Sequence, residues 1–133
     1  MILHEGFDYP FSRLDPHGAH IDPPSVAIYE TVVVKGPDGK AHPALADRWE
    51  ISEDKLTWRF TLREGLALHD GAPVTTADVI ASLRRWMVRD VTGQKVAAVV
   101  TGMEAVDAST FEIRLSQPLP YLTWALGSGV GLI

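Results

Sequence analysis

The chain has 133 residues, of which 46% are hydrophobic and 22% charged, with a formal net charge of −5 and no cysteine. The missing cysteine excludes a disulfide framework, a thiolate metal site and a cysteine nucleophile, and the negative charge argues against a nucleic-acid binder, which needs clustered positive charge. The length suits one domain that can bury a core without disulfide or metal staples.

The first third of the chain is predicted to hold short elements between turns. Residues 2–7 form a possible strand, and residues 25–30 a possible short helix after a proline pair. Residues 31–35 are β-branched, which favours a strand, and a Pro-Asp-Gly turn follows because glycine supplies the positive φ. Residues 43–49 begin with proline and continue Ala-Leu-Ala, which predicts a single helical turn.

An antiparallel hairpin is predicted for residues 49–62. Apolar and polar residues alternate in residues 49–51 and again in residues 56–62, and the polar pair Glu53-Asp54 lies between the two segments. A period of two residues is typical of a strand with one buried face.

An amphipathic helix is predicted from about Thr76 to Arg89, ending before Gly93. Thr75 and Asp78 fit the capping box, in which both side chains accept hydrogen bonds from free amide groups at the helix start. One apolar stripe repeats at helical spacing, through Val79, Ile80, Leu83, Trp86 and Met87.

The last third contains an apolar segment, residues 96–106, in which helix and strand compete. Residues 107–109 predict a turn, residues 111–115 a half-buried strand, and residues 121–126 a helix. Residues 130–133 are fully apolar, from which we expect the chain to be a part of a larger fold.

Catalytic and metal-binding patterns are weak. None of the five histidines has a partner at metal-ligand spacing on a helix. His17 and His20 lie in a proline-flanked loop, where hydrogen bonding is favoured over metal binding. His69-Asp70-Gly71 resembles a catalytic dyad, but Asp-Gly is a turn dipeptide and the turn is favoured. The sequence therefore predicts neither an enzyme nor a metal or other cofactor.

The four tryptophans divide into two groups. Trp58 and Trp86 fall on the apolar faces of the predicted strand and helix, which favours core positions over ligand stacking. Trp49 and Trp124 are left open between the two roles. The residue patterns alone predict an α+β domain and no particular function.

A series of short motifs is more informative than any single one. They are Leu14-Asp15-Pro16-His17, Tyr29-Glu30-Thr31, Asp38-Gly39-Lys40, Pro43-Ala44-Leu45-Ala46 with Trp49, the run from Trp58 to Gly65, the run from His69 to Thr75 with Asp78-Val79 and Ser82-Leu83, and Thr110-Phe111-Glu112-Ile113 with Leu115-Ser116-Gln117-Pro118. In order and spacing this series resembles the peptide-type extracytoplasmic solute-binding proteins of ABC importers, the family 5 class that includes oligopeptide-, dipeptide- and nickel-binding members.

The resemblance implies a partial lobe of a type II periplasmic-binding-protein fold, α+β, with a mixed or antiparallel sheet, hairpins and a capped amphipathic helix. Residues 1–49 would begin lobe I, residues 50–133 would form its inserted subdomain and the start of the return segment, and lobe II would be absent. Members of the family are two-lobed and close around a ligand at the hinge.

The resemblance also implies a function and a location. The chain would be a fragment of a periplasmic protein that captures peptides or similar small solutes and delivers them to an ABC permease and its ATPase. The signal peptide is expected to be missing, because the first residues lack a basic segment before a long apolar one. The alternative is a stand-alone interaction module derived from the fold, without transport activity.

The residues expected to contact the ligand are Phe11, Ser12 and Arg13, because the loop before Leu14 faces the cleft in relatives. The charged ends of the ligand are mainly held by other parts of such proteins, so we expect no complete site in this chain. A divided lobe would also expose apolar faces and strand edges, which predicts that the chain forms homo-oligomers.

Overall fold

The computed structural model describes residues 29–128, which form two antiparallel sheets and three helices. The strands are β1 (Val33–Lys35), β2 (Ala41–Pro43), β3 (Ala46–Ile51), β4 (Thr57–Leu62), β5 (Val100–Ala105) and β6 (Thr110–Leu115), and the helices are α1 (Thr76–Arg89), α2 (Val91–Ala97) and α3 (Leu122–Leu126). Strands β1 and β2 pair with each other, and the larger sheet has the order β3-β4-β6-β5.

The predicted hairpin is confirmed as β3 and β4. Trp49 lies opposite Phe60 and Glu50 opposite Arg59. The turn between the strands is held by Asp54, whose carboxylate accepts a hydrogen bond from the backbone N–H of Leu56 at 3.0 Å.

The predicted helical turn at residues 43–49 is wrong. Pro43 is the last residue of β2, and β3 begins at Ala46. The backbone N–H of Ala46 donates to the carbonyl of Val32 at 2.9 Å, and β3 pairs along its length with β4. Pairing with distant segments outweighs the local helical tendency of Ala-Leu-Ala, as is common for strand residues.

Helix α1 is confirmed, with both predicted ends. The backbone N–H of Asp78 donates to the Thr75 hydroxyl at 3.3 Å, and the backbone N–H of Thr75 donates to the Asp78 carboxylate at 2.8 Å. These two bonds form the capping box that the sequence predicts. The helix fixes Asp78 and Ser82, one turn apart, on a face that lines a surface cavity.

The ambiguous segment at residues 96–106 divides between both predicted states. Its first two residues end α2, and residues 100–105 form β5. Helix α2 begins directly after α1 because Asp90 accepts hydrogen bonds from the backbone N–H groups of Thr92 and Gly93, at 2.8 and 2.9 Å.

Shorter elements also follow the sequence. The strand predicted at residues 31–35 is β1, the turn after it contains Gly39 at φ 76°, and the strand predicted at residues 111–115 is β6. The turn at residues 107–109 and the helix near residue 121 are present too. The strand predicted at residues 2–7 and most of the helix predicted at residues 25–30 lie outside the described residues.

The core lies between the larger sheet and the helices, and α1 packs against β5 and β6. The alternating residues of β4 and β6 point into it, which is the arrangement that a period of two predicts. Among its largest fully buried side chains are Trp86, Phe60, Phe111, Leu83, Leu122 and Leu126. Within residues 29–128, no helix combines the length and the apolar character that crossing a membrane requires.

Replacing Thr75 with alanine is expected to lower the free energy of unfolding by about 1 kcal/mol, because the first turn of α1 loses its side-chain acceptor. Urea denaturation followed by circular dichroism measures the change. Thr75→Ser keeps the hydroxyl and is the matched control. Equal stability of the alanine and serine variants would contradict a stabilising cap.

The same variant has an expected pH dependence. Hydrogen bonds from the side chain and then the backbone of Thr75 lower the pKa of Asp78 from its ordinary value of 3.8. A carboxyl whose pKa is lower in the folded state than in the unfolded state stabilises the fold at any pH above its ordinary, unfolded-state pKa. That stabilisation is lost as the pH falls from the ordinary pKa through the lowered, folded-state pKa. The stability difference between the original chain and Thr75→Ala should therefore shrink below about pH 4.

Candidate functional site: a surface cavity beside α1

The predicted ligand contacts Phe11, Ser12 and Arg13 lie outside the described residues, as do His17 and His20. The described chain begins at Tyr29, and Tyr29 lines a cavity of about 460 Å³. Two other surface cavities of similar volume, about 450 Å³, lie beside Ile51 and Pro118 and beside Ala77 and Glu104. The cavity at Tyr29 is the candidate site because its lining contains the ion pair of Arg63 with Glu30.

The cavity lies between the end of β4, the loop after it and the first turns of α1. Its lining is Tyr29, Glu30, Leu45, Arg63, Gly65, Leu66, Ala67, Leu68, His69, Val74, Asp78 and Ser82. Arg63 follows β4 directly, and its backbone N–H donates to the carbonyl of Leu45 at 2.9 Å. The backbone N–H of Val74 donates to the carbonyl of Leu66 at 3.1 Å, which closes the loop against the cavity.

The apolar part of the lining belongs to the core. Leu45 is buried, and Leu66 and Val74 are partly buried side chains packed against the buried cluster. These three side chains give the cavity an aliphatic surface that is held in place by the packing beneath it.

The polar part of the lining carries both signs of charge. Nη2 of Arg63 lies 3.2 Å from Oε2 of Glu30, and both side chains are about half exposed. Asp78 supplies a second carboxylate, whose pKa is lowered by hydrogen bonds from the side chain and backbone of Thr75. The cavity thus offers an aliphatic surface, one cation and two anions, which is an arrangement suited to non-covalent binding.

The motif around His69 is confirmed as a turn. The Asp70 carboxylate accepts a hydrogen bond from the backbone N–H of Ala72 at 2.9 Å, and Gly71 has φ 87°. This geometry gives the Asp-Gly pair a structural role. Among residues 29–128, no group of three or more histidine and acidic side chains is arranged to hold a metal ion.

The tryptophans favoured for the core are confirmed there. Trp58 is 5% exposed and Trp86 is 1% exposed. Of the two left open, Trp49 is partly buried with its ring centroid 6.5 Å from that of Phe60, while Trp124 is 50% exposed. None of the four lines the cavity beside α1.

Comparison with known proteins assigns a family to this fold. Residues 40–129 match the family described as bacterial extracellular solute-binding proteins, family 5 Middle. The chain is 40% identical over 95 residues to a probable peptide ABC transporter periplasmic-binding protein, y4tO of Sinorhizobium fredii, a match that covers 71% of this chain and 18% of that protein. It is 31% identical over 130 residues to the periplasmic oligopeptide-binding protein OppA of Salmonella typhimurium, covering 81% of this chain and 24% of the relative.

A solved structure shows the same similarity in three dimensions. The chain is similar, with a TM-score of 0.79 and 31% identity, to the binding protein AgaA from A. tumefaciens R10 in complex with agropinic acid, over 92% of this chain and 26% of that one. The chain thus spans about a quarter or less of the length of these relatives, and the α+β fold predicted as part of a periplasmic binding protein is confirmed. The chain belongs to the bacterial extracellular solute-binding proteins of family 5.

Proposed function

We propose that this chain is part of a periplasmic protein that captures peptides or similar small solutes for import by an ABC transporter. The observation that carries the proposal is the agreement in fold, over 92% of the chain, with a binding protein whose structure holds a small solute. The partners of the whole protein would be the solute and the permease with its ATPase. The mechanism would be hinge closure, without covalent chemistry.

Within that protein, residues 1–49 would begin lobe I and residues 50–133 would form its inserted subdomain and the start of the return segment. The proposed boundary falls within β3, which extends from Ala46 to Ile51. The pairing of β3 with β4 would then join the two parts rigidly, so that hinge motion would occur elsewhere.

The proposed ligand contacts are Phe11, Ser12 and Arg13. Together they would offer an aromatic surface, a hydroxyl and a guanidinium, which suit a peptide's side chains, amides and carboxylates respectively. Because the chain spans a quarter or less of its relatives, these three residues would form one side of the site.

Isothermal titration with a mixed library of di- to pentapeptides tests this function. A longer protein that contains this segment is expected to bind with micromolar affinity, and the 133-residue chain is expected to give no heat at the same concentrations. In the longer protein, Arg13→Ala should weaken binding about tenfold, since a charge-assisted hydrogen bond is lost. Arg48→Ala, at an exposed position of β3, is the control and should leave affinity unchanged.

Two results would count against the proposal. Micromolar peptide binding by the 133-residue chain alone would favour a stand-alone module derived from the fold. Failure of the longer protein to bind any small solute would remove capture as the function.

A further inference from the structure

The cavity beside α1 carries one cation and two anions next to an aliphatic surface. We propose that it is a binding site for a zwitterionic solute of the amino-acid class, made by residues other than the proposed contacts Phe11, Ser12 and Arg13. The inference concerns the isolated 133-residue chain and does not depend on whether a longer protein imports peptides.

The carboxylate of such a solute would bind Arg63. Both contacts of Arg63 with Glu30 use Nη2, at 3.4 and 3.2 Å. A guanidinium has five N–H donors in a planar fork that matches a carboxylate in two places. An N–H of Nη1 or of Nε can therefore donate a single hydrogen bond to a second carboxylate, while the contact with Glu30 holds the guanidinium in position.

The ammonium group would bind the two acidic side chains. Glu30 is about half exposed at the edge of the cavity. The bonds that Asp78 accepts from the backbone N–H and the hydroxyl of Thr75 both end on Oδ2. Its other oxygen, Oδ1, can accept from an ammonium without breaking the cap of α1.

The aliphatic part of the solute would lie on Leu45, Leu66 and Val74. The cavity volume of about 460 Å³ falls within the range of about 300–1,000 Å³ that is usual for small-molecule sites. The aliphatic surface favours a branched aliphatic side chain such as that of leucine, which the cavity is large enough to admit.

The charges also argue against the cavity being a docking site for an apolar segment of a longer chain. Packing such a segment over Arg63, Glu30 and Asp78 would remove water from all three ions, and the one cation cannot neutralise both anions. A small zwitterion supplies one opposite charge for each sign and leaves the rest of the groups hydrated.

The expected affinity is millimolar, because exposed ion pairs contribute little and the aliphatic contact is small. The test is a titration of the ¹⁵N-labelled chain with L-leucine, followed by amide chemical shifts. Saturable shifts are expected at residues 63–78, which border the cavity. N-acetyl-leucine lacks the ammonium and leucine methyl ester lacks the carboxylate, so each should bind at least about fivefold more weakly, the size of effect a charged hydrogen bond gives.

Matched arginine variants test the residue assignment. Arg63→Gln is expected to weaken leucine binding about fivefold. Arg59→Gln removes the arginine of β4 and its contact with Glu112, where Nε lies 3.0 Å from Oε1, and should leave binding unchanged. Glu30→Gln should weaken binding about threefold and retains Arg63, so it replaces Arg63→Gln if that variant fails to fold.

Three results would overturn the inference. They are no saturable shifts with leucine up to tens of millimolar, equal binding of leucine and its two blocked derivatives, and equal effects of the Arg63 and Arg59 substitutions. None of these results bears on peptide capture by a longer protein, so the two proposals fail separately.

Discussion

Replacing Phe60 with alanine is expected to lower the free energy of unfolding by about 4 kcal/mol. Phe60 is fully buried in β4, an inner strand of the larger sheet. Its ring centroid lies 5.3 Å from that of Phe111 and 6.2 Å from that of Trp58, and both pairs are stacked. Truncation would remove the apolar burial and the aromatic contacts together, and β-sheet pairing on both sides would hinder collapse of the cavity left behind.

The size of this loss matters because a small domain has a total stability of about 5–15 kcal/mol. Urea denaturation followed by tryptophan fluorescence measures the change. Phe60→Leu should lower the free energy of unfolding by about 1–2 kcal/mol, because most of the buried apolar area is kept. Tyr121→Ala truncates an aromatic side chain that is 46% exposed and should cost less than about 1 kcal/mol. Similar losses at positions 60 and 121 would contradict a core centred on Phe60.

The elements that could be predicted from sequence are those whose signals are local. The hairpin of β3 and β4 follows from a two-residue period, and α1 follows from an apolar stripe with a capping box at Thr75. In each case the residues that carry the sequence signal lie within a few positions of one another. Local chemistry therefore decides these elements before any tertiary contact is known.

The elements that were missed depend on distant partners or on a residue with two roles. The beginning of β3 was predicted to be helical because its pairing with β4 and the bond from Ala46 to Val32 cannot be read locally. The sequence does not predict α2, because a glycine such as Gly93 usually indicates the end of a helix and not its interior. In the structure Asp90 ends α1 and also caps α2, so the glycine falls inside a new helix.

The candidate site was hardest to predict for the same reason. Glu30 and Arg63 are 33 positions apart, and each belongs to a motif that was recognised without any indication that the two meet. Asp78 was predicted as a cap, which is confirmed, but its place in the cavity depends on how α1 packs. The predicted contacts at Phe11, Ser12 and Arg13 lie outside the described residues and stay a prediction.

Replacing Gly93 with alanine should raise the helix propensity of α2 but create a close contact with α1. We expect the close contact to outweigh the propensity and to lower the free energy of unfolding by about 2 kcal/mol. Gly93 lies inside α2, where the exchange of glycine for alanine should by itself stabilise the helix by about 1 kcal/mol. However, a Cβ at this position would lie 2.4 Å from the carbonyl oxygen of Trp86 and 2.8 Å from its carbonyl carbon. These are backbone atoms of α1, so the two helices would have to move apart at a cost of about 3 kcal/mol.

The matched control for that variant is Gly102→Ala, in β5. There the three atoms nearest to a Cβ would all belong to the side chain of Arg114, the nearest at 3.2 Å, and this long, partly exposed side chain can move aside. We therefore expect a change within about 0.5 kcal/mol at position 102. Urea denaturation of both variants measures the contrast. A Gly93→Ala variant more stable than the original chain would show that helix propensity outweighs the α1–α2 contact, and that α2 can shift away from Trp86 at little cost.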